Sequence, residues 1–137
     1  MVEPAVSVLG VGIDLVDLSR VARLLEDKGE QAMIRFFTDA ERKYLGTRPD
    51  PTGNAAARIA AKEAVYKALQ SLPGARAVGW REIEVVRDGE GRPAVRLHGL
   101  AERLAQEQGG LRIQVSLTHS ATTAGAVVVV SAGQSRD

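Results

Sequence analysis

The sequence predicts an α+β fold in which a mostly antiparallel sheet packs against one long buried helix. Two kinds of observation carry this. The strand-like segments Leu111 to Thr118 and Gly125 to Val130 lie too close together for the crossover that parallel pairing needs, and so do Trp80 to Arg87 and Ala94 to His98. The stretch Ala55 to Leu72 is alanine-rich and helix-forming throughout, yet has no broad polar face, as a helix buried on most sides would be.

Each element has a local cause. Val6 to Asp14 is rich in β-branched residues and starts as a strand. Asp17 or Ser19 then caps a short helix with the stripe Val21, Leu24 and Leu25, which Gly29 ends. Met33 to Phe37 is a second apolar patch. Thr38-Asp-Ala-Glu41 has the spacing of a capping box and opens a helix through Tyr44 and Leu45. Gly46 to Asn54 is a glycine- and proline-bearing loop, from which Asn54 caps the long helix Ala55 to Leu72; Pro73-Gly74 stops it. Asp88 to Pro93 joins the strands Trp80 to Arg87 and Ala94 to His98, and a helix from Leu100 to Gln108 closes at Gly109-Gly110. Leu111 to Thr118 alternates strictly, Gly125 to Val130 is a buried apolar strand, and Ser131 to Asp137 reads as a flexible tail. No linker or repeat divides the chain. Residues 1–137 are therefore expected to form one domain ordered β-α-α-α-β-β-α-β-β.

Composition narrows the chemistry. With no cysteine, disulfides, thiolate metal sites and cysteine nucleophiles are excluded. A net charge of +1 with 4% aromatic residues argues against a nucleic-acid surface. The run Val6 to Val16 is broken by Asp14 and falls short of the roughly 20 residues of a membrane span. It has neither a basic leader nor a cleavage pattern, so no membrane attachment is expected and the cytoplasm is the default location.

Three constellations stand out. In Leu9-Gly-Val-Gly-Ile-Asp14, a period of two puts Gly10, Gly12 and Asp14 on one face. That bare face admits a ligand or another backbone, or Asp14 merely opens a turn. Along the long helix, Arg58 and Lys62 share one sector, Glu63 and Lys67 another. The second couple can pair internally; the first is like-charged and either binds an anion or forms a solvated edge. His119 ends the alternating strand on the parity of Ile113, Val115 and Leu117, which suits a core histidine as well as a functional one.

Taken together, Gly10-Val-Gly-Ile-Asp14, Arg58-Ile-Ala-Ala-Lys-Glu-Ala-Val-Tyr-Lys67 and Val115-Ser-Leu-Thr-His119 resemble, in order and spacing, the signature segments of the holo-acyl-carrier-protein synthases. Phe37 to Leu45, Trp80 to Glu84 and Gly91-Arg-Pro93 extend the resemblance from about Val8 to Val130; Ile59 stands where many relatives place an aromatic. The resemblance implies a 4′-phosphopantetheinyl transferase-like fold. It also implies transfer of phosphopantetheine from coenzyme A to a serine of apo acyl carrier protein, for fatty-acid biosynthesis. Asp14 and Glu63 would hold Mg²⁺, with Asp14, Glu63 and Lys67 catalytic. Arg58, Lys62, Lys67, the turn Gly91, Arg92 and Pro93, and His119 would face coenzyme A. Arg20 and Arg23 would dock an acidic carrier helix, and the enzyme would be a homotrimer with active sites between subunits.

Overall fold

The computed structural model describes residues 7–133. It runs β1 (Val8–Asp17), α1 (Leu18–Phe36), α2 (Asp39–Gly46), α3 (Thr52–Leu69), β2 (Ile83–Arg87), β3 (Pro93–Leu97), α4 (Gly99–Glu107), β4 (Leu111–His119) and β5 (Thr123–Ala132). Two short 3₁₀ turns, Ala75–Ala77 and Trp80–Glu82, lie between α3 and β2. The predicted order of elements holds. In place of one sheet there are two, a three-stranded sheet ordered β1-β5-β4 and the hairpin β2-β3, and all pairing is antiparallel.

The glycines of β1 set how α3 lies on the larger sheet. A Cβ at Gly10 would stand 1.8 Å from the Ala68 carbonyl oxygen, and one at Gly12 1.8 Å from that of Ala64. The bare face thus receives the backbone of α3. With side chains no larger than methyl at Ala60, Ala61, Ala64 and Ala68, the helix seats closely on Ala126, Val128 and Val130 of β5 and closes the main core with Val65, Leu69, Ile83 and Val85. A second cluster joins α1 and α2 to the start of α3 through Val21, Phe37, Leu45, Ala55 and Ala56.

Several boundaries differ from expectation. β1 continues past Asp14 to Asp17, because pairing with β5 persists to Asp17↔Thr123. Gly29 (φ 48°, ψ −121°) kinks α1 without ending it; the helix resumes and carries Phe36 back toward the site. α3 starts at Thr52, whose N–H donates to Asp50 Oδ1 (3.1 Å), so Asn54 is inside the helix and not its cap. It ends at Leu69, before the chain turns into Pro73-Gly74. Trp80 to Glu82 is a 3₁₀ turn, so β2 begins only at Ile83. Ser131 and Ala132 belong to β5, with Ser131 buried, where a tail was expected; the rest of that expected tail, residues 134–137, lies outside those described, as does Val6. The Thr38–Glu41 capping box forms as predicted, the Glu41 N–H donating to Thr38 Oγ1 (3.2 Å) and the Thr38 N–H to Glu41 Oε1 (2.9 Å).

Candidate active site

β1 delivers Asp14, and α3 delivers Glu63 and, one turn on, Lys67. Lys67 Nζ donates to Asp14 Oδ1 and to the Ile13 carbonyl, each at 3.1 Å. The internal Glu63–Lys67 pair that the spacing allows is therefore replaced by one reaching from helix to strand. Glu63 is half-buried beside it. Burial first, and the Asp14 charge second, raise its carboxyl above the ordinary value, with Lys67 opposing. Two carboxylates and an ammonium thus meet at the open end of the α3–β1 seam.

Two cavities share this corner. The larger, about 570 Å³, is walled by Leu15, Val16, Val21, Leu24, Phe36 and Ile59, with Arg20 at its rim and Asp14 and Glu63 at its end. The smaller, about 240 Å³, lies between Glu63, Tyr66, Val78, Gly79, Trp80 and Ile83. Trp80 and Glu63 border both. The groove walls around Phe36 and Trp80 were not legible as a site in the sequence, because they come from α1 beyond its kink and from a turn read as strand.

Lys62 requires a correction. Its ammonium is fully buried in an ion pair with Glu41 (2.7 Å) and also donates to the carbonyls of Trp80 and Ile83. An ammonium has three protons, and all three are engaged, so nothing remains to face a coenzyme. The anion this lysine needs is Glu41 of α2.

Arg58 lies one turn before Lys62 in the same sector of the helix. It is buried, and its guanidinium stacks on the Tyr44 ring at 4.3 Å. Its Nε is the one buried side-chain polar atom without a partner among the described residues. Arg48 and Arg87 both donate to the Tyr44 hydroxyl, at 2.5 and 2.7 Å. Burial pushes the Tyr44 phenol up, but the Arg48 hydrogen bond and the charges of Arg87, Arg48 and Arg58 outweigh it and hold the phenol below its ordinary value. None of these three arginines pairs with a carboxylate among the described residues, so the cluster has unbalanced positive charge. Arg48 and Arg87 were missed in the sequence: one falls in the Gly46 to Asn54 loop, the other at a strand end.

The turn Gly91, Arg92 and Pro93 adjoins that cluster, since Arg87 donates to the Gly91 carbonyl (3.3 Å). Arg92 pairs with Asp88 and Glu90 on the exposed turn. His119 ends β4, the edge strand of the sheet, and is exposed, contrary to an inward histidine, because α3 lies mainly over β1 and β5. Its register places it opposite Ala124 and Val16, two strands across from β1 and outside both cavities. Arg20 and Arg23 are exposed on the first turns of α1; of the two, only Arg20 borders the groove.

The family model of the 4′-phosphopantetheinyl transferase superfamily matches residues 10–124. A holo-[acyl-carrier-protein] synthase of Nocardia farcinica is 43% identical over 130 residues, covering 90% of this chain and 88% of that protein. The structure of a holo-(acyl-carrier-protein) synthase from Bacillus anthracis in complex with CoA (3′,5′-ADP) superposes with a TM-score of 0.75 at 29% identity, over 94% of this chain and 100% of that one. The ACPS–CoA complex from Chronobacterium ammoniagenes gives 0.77 at 31% identity, over 96% of this chain and 100% of that one.

Proposed function

The chain belongs to the 4′-phosphopantetheinyl transferase superfamily, and from that membership we propose that it transfers 4′-phosphopantetheine from coenzyme A to a serine of apo acyl carrier protein. The observation that carries the reading is the meeting of Asp14, Glu63 and Lys67 beside a cavity that Asp14 and Glu63 both line.

The donor set fits Mg²⁺. No group of three or more metal-ligating side chains converges among the described residues, but two carboxylates do, and Mg²⁺ takes one or two carboxylates with water and substrate phosphate. Asp14 and Glu63 would hold it, and when bound it would offset charge on the diphosphate and on the departing nucleotide. The protein's own part is positioning. The carrier hydroxyl forms the new O–P bond as the bond from that phosphorus to the oxygen of 3′,5′-ADP breaks. Glu63 accepts the hydroxyl proton by way of a bridging water. Lys67 Nζ, held by Asp14 and the Ile13 carbonyl, meets the charge growing on the leaving group.

The Arg48–Arg58–Arg87 cluster supplies a second anion site, suited to a phosphate on the nucleotide, with the Gly91 turn and His119 contributing to the same end. Arg58 and Glu63 are five residues apart, which is about 140° around a helix of 3.6 residues per turn. One extended ligand reaches both clusters most simply when two copies of the chain face each other. A surface for that exists: Val11, Ile13, Leu15 and Val127 are 61, 63, 71 and 41% exposed on the sheet face turned away from α3. We therefore propose a homotrimer with active sites between subunits; a native mass equal to one chain would remove that reading. No helix among the described residues is long and apolar enough to cross a membrane, and we place the enzyme in the cytoplasm, as one catalytic unit over residues 1–137 serving fatty-acid synthesis.

Intact-protein mass spectrometry tests the function. Apo carrier incubated with the enzyme, coenzyme A and Mg²⁺ should gain roughly 340 Da, and chelation should abolish the gain. No gain with any carrier, despite coenzyme A binding, would leave a non-catalytic binder.

Arg20, at the rim of an apolar groove, suits an acidic carrier helix whose apolar side lies in the groove. Arg23 adds charge one turn on. Arg20→Glu should raise the carrier KM about tenfold or more at low salt while the coenzyme A KM moves less than about twofold, because rim charges act on encounter with the macromolecule. Equal changes in both constants would argue against docking there.

A further inference from the structure

α1 is bent into two arms at Gly29, and both arms reach the larger cavity. We propose that Gly29 is a positioning residue that sets the width of this groove, and so governs recognition of the carrier and not of coenzyme A; this rests on the transfer and docking readings above. The first arm, residues 18–28, gives the groove Val21 and Leu24 and carries Arg20 at the rim. The second, residues 30–36, gives it Phe36. In a straight helix the 12 steps from Leu24 to Phe36 cover about 18 Å, whereas a compact cavity of about 570 Å³ is only about 10 Å across. The bend is what brings both side chains to one groove. Each arm is anchored on its own, Val21 and Leu25 from one and Met33 and Phe36 from the other packing into the second hydrophobic cluster.

The joint needs a glycine for its backbone and for nothing else. Its φ of 48° and ψ of −121° are the mirror image of ordinary extended backbone, a region that glycine or a D-residue enters freely and an L side chain does not. A Cβ there meets nothing within 4 Å, so a substitution acts through the backbone and not through a clash. The reacting groups stand apart from the joint, with Asp14 on β1 and Glu63 on α3. The Trp80 turn is also held from elsewhere: its carbonyl accepts from Lys62 Nζ (3.0 Å), and Glu82 accepts from the Leu100 N–H (2.6 Å) of α4. What moves with the second arm is Phe36, whose ring packs edge-on to the Trp80 indole with centroids 4.8 Å apart.

Two variants of identical composition test this, Gly29→Ala and Gly29→D-Ala, the second made by chemical ligation. In Gly29→Ala the joint relieves its strain by turning the second arm, so the carrier KM should rise about tenfold while kcat and the coenzyme A KM stay within about threefold. Trp80 is the only tryptophan, and its emission should shift as Phe36 leaves the indole. Gly29→D-Ala, for which this backbone is ordinary, should return both the carrier KM and the emission to wild type. Phe36→Ala removes the same wall without touching the backbone, and it too should raise the carrier KM while sparing that of coenzyme A. An unchanged carrier KM in Gly29→Ala, equal losses in the L and D variants, or equal rises in both KM values would overturn the proposal. If Gly29→Ala does not fold, an unchanged carrier KM in Phe36→Ala overturns it alone. Wild-type protein that modifies no apo carrier would instead overturn the transfer reading, and this inference with it.

Discussion

Glu63→Ala should lower kcat/KM for carrier modification by about 10²- to 10⁴-fold, the range expected when a general base is removed, and the loss of a metal carboxylate should push it to the upper end. Fold stability should barely move. Glu63 forms no ion pair among the described residues, and its carboxyl is already disfavoured as an anion by burial and by Asp14. Removing a group that is strained when charged leaves no buried partner unsatisfied, so the change in stability should stay within roughly 1 kcal/mol. Glu63→Gln separates shape from charge: it fills the same space and should be nearly as inactive as alanine. Near-normal turnover in Glu63→Ala, measured by the mass gain of the carrier, would refute both the proton-accepting and the metal-holding roles. Lys67→Ala makes a useful contrast. Its pair with Asp14 is half-exposed and worth about 0–1 kcal/mol of stability, so a large loss of rate there would mark an effect on the departing nucleotide.

These assignments rest on residues that were visible as a pattern before their geometry was. Periodicity placed Gly10, Gly12 and Asp14 on one face and Glu63 with Lys67 in one sector, because strand and helix periods are local properties of the chain. What lay across from those faces was not local. The glycine face turned out to receive α3, since only the register of β1 on β5 and the alanines at 64 and 68 make that approach close enough. His119 has the parity of an inward residue, yet it is exposed on the edge strand, because which strands the helix of the next layer covers is not written in any one strand. That Arg48 and Arg87 join Arg58 around Tyr44 was invisible for the same reason: the three come from a loop, a strand end and a helix that meet only in the fold.

Lys62 shows most clearly how a buried charge misleads a reading of one helix, and it carries the largest expected effect on stability. Its sector partner Arg58 suggested an anion from outside, but the carboxylate that satisfies Lys62 stands 21 residues earlier, on α2. Glu41 in turn accepts from the Thr38 N–H (2.9 Å) and the Val85 N–H (2.8 Å), so the pair ties α2, α3 and β2 together. Both side chains are fully inaccessible. Removing one partner leaves an uncompensated buried charge, so Glu41→Leu and Lys62→Met should each cost about 3–5 kcal/mol. Against a typical total of about 5–15 kcal/mol, each variant should be marginal, melting on the order of 10–20 °C lower. The double variant Glu41→Leu/Lys62→Met should be no worse than either single one, since it removes both charges at once. It should also fall short of wild type, because the Val85 N–H and the Trp80 and Ile83 carbonyls lose their partners. Thermal unfolding of the four proteins reads the coupling directly. Losses that simply add would mean that the two side chains act independently, and that the buried pair does not hold α2 and the Trp80 turn against the helix that carries Glu63.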